Sequence, residues 1–314
     1  MILSIVTTLY RSEAFIEEFH SRISAVARLV AEDDYELVFV DDGSPDKSLE
    51  RAVQLAQTDP HVKVVELSRN FGHHKAILAG LAESSGEVVY LTDVDLEEQP
   101  EWLLAFKEQL DDSGADVVYG VQEVRSDAKI TPSSGALFWK MLNLFSDQHI
   151  PANPMTCRLM TRPYVNALLS VGDRVLFLAG TFAWAGFKQV PLHFTKSERP
   201  DQSKSSYSLT KRFALMLNSM TSFSAFPLYC TFCFGFAISV CSFALGVFYL
   251  LRKIIYPEYI LSGFTTQIVI ILFLGGVIIT SIGLVGIYVA KIFQEVKRRP
   301  LYIIRKIHGT KKCL

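Results

Sequence analysis

Acidic residues cluster where an apolar, strand-like segment ends. The segment from Val88 to Thr92 runs directly into Asp93-Val94-Asp95-Leu96-Glu97. Residues two apart on an extended segment point the same way, so Asp93, Asp95 and Glu97 are expected to share one face. Three carboxylates on one edge favour a hard divalent cation, Mg²⁺ or Mn²⁺, which would stabilise a diphosphate as a leaving group. A solvated acidic turn is the simpler alternative.

A second acidic turn follows the segment from Glu36 to Val40. It reads Asp41-Asp42-Gly43-Ser44-Pro45-Asp46 and leads into helix-like sequence. Such residues form turns and helix N-caps without any further function. A carboxylate at a strand end can also accept hydrogen bonds from a pyrimidine N–H or a ribose hydroxyl. Asp41 and Asp42 are therefore candidates for a nucleotide site.

The elements that must position these acids alternate in type over the first 120 residues. Strand-like and helix-like pieces follow one another as 2–9, 13–30, 36–40, 48–57, 62–67, 76–83 and 88–92. This order predicts an α/β fold with a mainly parallel sheet covered by helices on both faces. Ligands of such sheets bind beyond the carboxyl ends of the strands, where both acidic turns fall.

The C-terminal third has the composition of a membrane segment. Two stretches, about 228–251 and 263–290, are long enough to cross a hydrocarbon core of about 30 Å. The turn between them is short and predicts an antiparallel hairpin with both ends on one side. Residues 291–314 hold eight basic residues against one acid, which predicts a basic cytoplasmic tail beside anionic membrane lipids, with a solvated tail as the alternative.

The expected organisation is a globular domain at 1–210, an interfacial amphipathic helix at 211–226, two transmembrane helices within 227–290 and the tail at 291–314. A second amphipathic segment, 135–145, suits either the headgroup layer or core packing. Five cysteines, three of them inside the apolar stretch, do not form a disulfide framework and fit a reducing compartment. Met1 to Leu9 is expected to be a buried strand and not a signal peptide.

Several motifs together form a specific pattern. They are Val40-Asp41-Asp42-Gly43-Ser44, Leu67-Ser68-Arg69-Asn70-Phe71-Gly72, Asp93-Val94-Asp95-Leu96 and Arg158-Leu159-Met160, followed by the paired apolar stretches. In these motifs and their spacing, nearly the whole chain resembles the polyprenyl-phosphate glycosyltransferases of the GT-A, family 2 type. That group includes bactoprenol glucosyltransferases and dolichol-phosphate mannose synthases. The resemblance implies an inverting transferase with a Rossmann-like GT-A domain.

The resemblance also implies roles for individual residues. The donor nucleotide-sugar is assigned to Thr8, Tyr10, Asp41, Asp42, Arg69, Asn70 and Asp93. Catalysis is assigned to Asp93, Asp95 and Arg158, and the metal to Asp95, Asp93 and Glu97. Of the family's Pro-x-Tyr-Asn-Glu motif near the N-terminus, only Tyr10 is present here. His73 and His74 are expected to line the nucleotide pocket or to cap a helix, because no third zinc ligand lies nearby.

The acceptor side departs from the family pattern at one position. Thr156 stands where relatives commonly carry an acid, two residues before the Arg-Leu-Met motif. An acceptor phosphate has a second pKa near 6 and is largely dianionic at neutral pH, so it attacks without an enzymic base. What it needs is positive charge and donors, for which the candidates are Arg158, Arg199, Lys204, Ser205 and Tyr207. Thr156, Asp173 and Arg174 are candidates for the sugar pocket.

The sequence therefore predicts transfer of a sugar, from a UDP-sugar in the first instance, to undecaprenyl phosphate at the cytoplasmic face of a bacterial inner membrane. The lipid-linked product would supply synthesis or modification of a cell-envelope glycan such as lipopolysaccharide. We expect no nucleic-acid partner and leave a homo-oligomer open. The alternatives are a catalytically silent nucleotide-sugar-binding scaffold or a transferase with another lipid acceptor. A processive polysaccharide synthase is disfavoured because its Gln-x-x-Arg-Trp motif is missing from the sequence.

Overall fold

The fold is described from a computed structural model, which covers residues 2–122, 154–174, 178–195, 226–255 and 264–309. Its strands are β1 (Leu3–Leu9), β2 (Tyr35–Asp41), β3 (Val62–Leu67), β4 (Val88–Leu91), β5 (Val117–Gln122), β6 (Pro154–Thr161), β7 (Gln189–Phe194) and β8 (Ile304–His308). Its helices are α1 (Ile16–Ala31), α2 (Ser48–Thr58), α3 (His73–Glu83), α4 (Trp102–Ser113), α5 (Arg162–Val171), α6 (Leu178–Trp184), α7 (Phe226–Ile255) and α8 (Phe264–Val296).

The strands form one eight-stranded sheet in the order β7-β5-β6-β4-β1-β2-β3-β8. Strands β4, β1, β2 and β3 are parallel to their neighbours within this group. Strand β6 runs antiparallel to β4 and β5, and β8 runs antiparallel to β3. The expected α/β fold with a mainly parallel sheet is thus confirmed.

Helices cover both faces of the sheet, which explains why the central strands bury apolar residues on both faces. One buried cluster packs α1, α2 and α4 on the sheet and includes Phe19 and Phe106. The other packs α3, α5 and α6 on the opposite face and includes Ile77 and Tyr164. All seven residues of β2 are buried as a consequence. The sheet is therefore a rigid support for the loops at its edges.

The segment 291–314 is not a simple tail. Helix α8 continues to Val296, and Ile304–His308 form the edge strand β8. Its basic residues Arg305 and Lys306 are exposed between the half-buried Ile304 and Ile307, which suits an edge strand with one solvated face. The expected tail is corrected here, because part of it completes the sheet.

The described chain divides into two compact units, one holding the sheet with β8 and the other holding α7 and α8. Both helices contain windows long and apolar enough to cross a membrane, Leu228–Leu245 and Phe273–Val296. None of either window is buried inside the structure. Core helices of soluble proteins bury such surfaces, so these helices are candidate membrane spans. The expected helix at 135–145 lies outside the described residues, as does the expected helix at 211–226 apart from Phe226, which begins α7.

Candidate active site

The candidate donor residues gather at one edge of the sheet. They follow the carboxyl ends of four adjacent parallel strands, with Thr8 and Tyr10 at β1, Asp41 and Asp42 at β2, Arg69 and Asn70 at β3, and Asp93 and Asp95 at β4. Parallel strands bring all of these ends to the same edge. Tyr10 is exposed and Thr8 is half-buried, whereas both acids after β2 are buried.

Asp42 holds the loop that follows β3. Its Oδ1 accepts a hydrogen bond from the N–H of Phe71 at 2.7 Å, and its Oδ2 accepts one from Gly72 at 2.9 Å. Gly43 has a φ of +65°, and a Cβ there would lie 2.6 Å from the backbone nitrogen of Asn70. Only glycine therefore allows the two loops to pack this closely. Burial raises the pKa of Asp42, against the lowering effect of the two N–H donors.

Asp41 instead closes its own turn. Its Oδ2 accepts hydrogen bonds from the N–H of Gly43 at 3.1 Å and of Ser44 at 3.3 Å. Burial raises the pKa of this carboxyl too, and the hydrogen bonds from Ser44 and Gly43 oppose the change. The turn expected from sequence is thus present, and of the two acids it is Asp42 that connects neighbouring strand ends.

Arg69 lies exposed beside this junction. Its Nη1 donates to the carbonyl of Asn70 at 2.9 Å, and its guanidinium carbon lies 4.1 Å from the ring centroid of Phe71. The carbonyl and the ring restrain a long cationic side chain at the surface. A fixed guanidinium at this edge suits an anionic ligand such as a nucleotide diphosphate.

The acidic segment after β4 is a turn and not an extended strand. Strand β4 ends at Leu91, and Leu96 has a φ of 62°, in the left-handed region that branched residues rarely adopt. Asp95 Oδ1 accepts a hydrogen bond from the N–H of Glu97 at 3.2 Å, which closes the turn. The expectation that Asp93, Asp95 and Glu97 share one face of an extended segment is therefore wrong.

The donor set at this turn fits a metal ion that is shared with substrate. Among the described residues, no three histidine, cysteine or acidic side chains lie close enough to form a metal site by themselves. Asp93 and Asp95 are half-buried oxygen donors two residues apart. Mg²⁺ is commonly held by one or two carboxylates together with substrate phosphates and waters. Asp93 and Asp95 match that arrangement, whereas a protein-only triad does not occur here.

His73 joins the first and fourth strand ends. It is the first residue of α3, and its Nδ1 lies 3.0 Å from Thr8 Oγ1. Its Nε2 lies 3.7 Å from Asp93 Oδ1. The contact with the Thr8 hydroxyl restrains the ring, whereas the carboxylate lies beyond hydrogen-bonding distance. His73 therefore lies at the edge where the candidate donor residues gather, and its role in a nucleotide pocket stays a prediction.

Glu98 was not among the residues singled out by sequence. It is fully buried, and its Oε1 accepts a hydrogen bond from the N–H of Thr156 at 3.1 Å. Its Oε2 lies 3.3 Å from the nitrogen of Asp93, which donates to it. One carboxylate thus fixes the backbone at Asp93, a candidate metal ligand, and at Thr156.

Arg158 is buried beneath the same edge. It pairs with Leu91 across β6 and β4, and only 4% of its surface is exposed. Nε donates to the carbonyl of Thr156 at 3.2 Å and Nη2 to that of Met155 at 3.1 Å. The guanidinium carbon lies 3.4 Å from the ring centroid of Phe182, and burial lowers the pKa of this side chain. Arg158 thus supports the start of β6, which sequence reasoning did not foresee.

The remaining acceptor and sugar-pocket candidates are placed only in part. Thr156 is half-buried at the level of Asp93, since β6 runs antiparallel to β4. Asp173 and Arg174 are half-buried and follow α5, the helix that begins directly after the last residue of β6. Arg199, Lys204, Ser205 and Tyr207 lie outside the described residues.

Proteins named as glycosyltransferases match nearly the whole length of this chain. The chain is 42% identical over 310 residues to a putative glycosyltransferase of Mycobacterium tuberculosis, covering 99% of this chain and 89% of that protein. It is 33% identical over 309 residues to the SfII prophage-derived bactoprenol glucosyl transferase of Shigella flexneri, covering 98% and 99% of the two chains. Sequence similarity therefore extends through α7 and α8 to β8.

Solved structures match part of this chain at low sequence identity. A mannosyltransferase from Pyrobaculum calidifontis, in complex with GDP-Man and Mn²⁺, is 20% identical with a TM-score of 0.49, covering 70% of this chain and 63% of that one. The family model for glycosyl transferase family 2 matches residues 4–169, which include every candidate donor and metal residue. With this match over more than half of the chain and with relatives that cover nearly all of it, the chain belongs to glycosyl transferase family 2.

Proposed function

We propose that the protein transfers a sugar from a nucleotide-sugar, with UDP-sugars as the first candidates, to undecaprenyl phosphate with inversion at the anomeric carbon. The observation that carries the proposal is the set of donor residues at four adjacent strand ends, in a chain related over its full length to bactoprenol glucosyl transferases. The product would be a lipid-linked sugar for a cell-envelope glycan.

The donor would bind across the edge formed by β1, β2, β3 and β4. Asp42 would accept a hydrogen bond from the base or the ribose while it keeps its hydrogen bonds from the N–H groups of Phe71 and Gly72. Arg69 would face the diphosphate. Asp93 and Asp95 would hold Mg²⁺ or Mn²⁺ against the same diphosphate. The bound ion would supply charge stabilisation of the departing nucleotide. Glu97 is proposed to assist from the same turn.

The acceptor would attack as a phosphate dianion. One phosphate oxygen forms a bond to the anomeric carbon while the bond from that carbon to the donor diphosphate breaks, and the nucleoside diphosphate carries away the electron pair. No proton has to leave the attacking oxygen above its pKa near 6. Thr156 in place of an acid is therefore compatible with the reaction. Arg199, Lys204, Ser205 and Tyr207 remain the proposed phosphate contacts.

Helices α7 and α8 are proposed to cross the membrane as a hairpin, with the sheet unit and both termini in the cytoplasm. Exposed apolar side chains along both helices support a lipid environment. Lys297, Arg298 and Arg299 follow α8 directly, and such cations favour the cytoplasmic side and anionic headgroups. The acceptor would then meet the active site from the same membrane that anchors the enzyme.

The test is a transfer assay with the full chain in lipid nanodiscs. Purified protein is incubated with UDP-glucose, UDP-galactose, UDP-N-acetylglucosamine or GDP-mannose, together with undecaprenyl phosphate and Mg²⁺ or Mn²⁺. A lipid-linked sugar from one donor is expected. Donor binding without product, across a panel of lipid phosphates and alcohols, would favour the silent scaffold and contradict the transferase.

A further inference from the structure

The C-terminal strand contacts the loop that carries Arg69. Both backbone groups of Ser68 are bonded to this strand and its approach: the N–H donates to the carbonyl of Ile303 at 2.9 Å, and the carbonyl accepts from Nη2 of Arg305 at 3.1 Å. Ser68 immediately precedes Arg69. The position at which the donor loop leaves β3 is therefore set by residues that follow the second apolar helix.

Arg305 is aimed at this position by a bulge. Glu66 pairs with Lys306 and Leu67 with Ile304, so Arg305 is the extra residue between them. Bulges turn a side chain out of the regular alternation of a strand. Here the guanidinium forks, with Nη1 donating to Glu66 Oε1 at 3.2 Å and Nη2 to the carbonyl of Ser68.

A second contact strengthens the attachment at Glu66. Nε2 of His308 lies 3.2 Å from Glu66 Oε2, so both carboxylate oxygens are engaged from β8. The Glu66 side chain is only 12% exposed, and Glu66 pairs with Asp41 on the adjacent strand. The charge of this acid is therefore partly compensated by Arg305 beside the acidic turn.

The contacts continue from Ser68 to Asp42. The amides of Phe71 and Gly72 donate to Asp42, and Gly43 packs against the backbone of Arg69 and Asn70. Leu301, Tyr302 and Ile304 join the same apolar cluster as Phe71. A continuous set of contacts thus runs from the C-terminal strand to the loops proposed to bind the nucleotide.

We propose that β8, acting through Arg305, is a positioning element for the donor site that fixes the 68–72 loop against Asp42. This inference rests on the proposed function only in naming the donor as a nucleotide-sugar. The contacts by which β8 holds the 68–72 loop lie within the sheet unit and do not depend on the identity of the substrate. Arg305 itself contacts no substrate in this scheme.

The experiment compares Arg305→Ala, Arg305→Lys and Gly309→Ala with Lys306→Ala in the full chain in nanodiscs. Lys306 is the exposed neighbour of Arg305 on β8 and serves as the matched control. Gly309 has a φ of +79°, and a Cβ there would lie 2.2 Å from the carbonyl oxygen of Val62, so alanine should loosen the end of β8 by a second route. Hydrogen exchange of the 68–72 amides and the Kd for UDP are measured for each variant.

Faster exchange at residues 68–72 and a rise of about three- to tenfold in the UDP Kd are expected for Arg305→Ala and Gly309→Ala, with little change for Lys306→Ala. Lysine at 305 keeps the charge but cannot fork, so an intermediate effect is expected. In turnover, the KM for the donor should rise while kcat and the acceptor KM stay near those of the unaltered enzyme.

Exchange and Kd equal to those of Lys306→Ala would overturn the proposal, as would faster exchange throughout the sheet with no excess at 68–72. The proposed function fails separately. Suppose that the unaltered enzyme binds UDP, that Arg305→Ala weakens this binding, and that no sugar is transferred to any lipid phosphate. This result would refute the transferase function and leave the positioning role of β8 supported.

Discussion

The buried carboxylate of Glu98 accepts a hydrogen bond from the backbone N–H of Thr156 at 3.1 Å, so an acid from the end of a neighbouring strand holds the backbone at Thr156. The same carboxylate also accepts a hydrogen bond from the backbone N–H of Asp93. The Glu98 side chain therefore fixes the turn after β4, which begins at Thr92 and contains Asp93, relative to the first residues of β6.

Replacement of Glu98 by glutamine should separate these two segments. The amide can accept on one side only, so either the Thr156 or the Asp93 N–H faces an N–H₂ group. We expect a loss of about 1–3 kcal/mol in the free energy of unfolding of the sheet unit, together with a lower kcat. Denaturant titration and turnover test this, with Glu108→Gln on the exposed face of α4 as the control. Equal stability of the two variants would contradict the buried bridge.

Asp95→Asn tests the proposed metal role. Loss of one carboxylate should reduce turnover by about 100-fold or more, the scale of removing a charge-stabilising group, without a change in Tm. Asp112→Asn, at an exposed position late in α4, is the control. Excess chelator should abolish activity and Mn²⁺ should restore it. Full activity in chelator would show that the leaving group is stabilised in another way.

Thr156→Ala tests whether an enzymic base is needed. The described hydrogen bond of Thr156 to Glu98 uses its backbone N–H, which alanine retains. We expect a loss below tenfold, smaller than the roughly 100-fold or greater loss typical of a general base. The rate should rise as the acceptor phosphate loses its second proton and then become constant. A dead Thr156→Ala enzyme with unchanged Tm would refute this view of the acceptor.

The charge of Arg158 is tested by comparing Arg158→Lys with Arg158→Met. Both replacements lose the forked bonds to Met155 and Thr156, and only lysine keeps a positive charge near the acceptor side. Both should lower Tm, and lysine should retain more activity on undecaprenyl phosphate. If methionine is as active as lysine at matched stability, Arg158 acts on β6 and not through its charge.

Nucleotide binding should weaken in mild acid because of Asp42. Burial raises the pKa of this carboxyl above the ordinary value of about 3.9, and the ionised form is the one that accepts from Phe71 and Gly72. Binding is therefore present above the raised pKa and lost as pH falls through it. The sign for folding is opposite, since ionisation of a group with a raised pKa costs stability as pH rises. UDP titrations between about pH 4 and 7, compared with Asp42→Asn, measure the effect. An identical acid limb in both proteins would contradict it.

The proposed topology is tested by cysteine labelling with a reagent that does not cross membranes. An engineered cysteine in place of Pro257 should be labelled in intact spheroplasts, and one in place of Lys311 should not. Both should react after the membrane is opened. The reverse pattern would place the catalytic unit outside the cytoplasm.

Much of the sheet could be predicted from the sequence because its central strands are mainly apolar and are separated by amphipathic helices. The edge carrying Asp42 and Asp93 followed from the order of those elements. Glu98 could not be found in this way, because only the left-handed turn at Leu96 determines which of two adjacent acids enters the interior. Strand β8 was hidden for another reason: its basic residues suggested lipid contact, and its partner strand is distant in sequence.

The late position of β8 has a consequence for how the protein is made. Arg305 and Glu66 are 239 residues apart, and both apolar helices lie between them. Strand β3 therefore emerges with one edge unpaired and keeps it open while the helices are synthesised. A chain interrupted within α7 or α8 would expose that edge to other proteins. Completion of the sheet thus requires that both apolar helices have already been synthesised, and only a chain that includes β8 can make the contacts to Glu66 and Ser68.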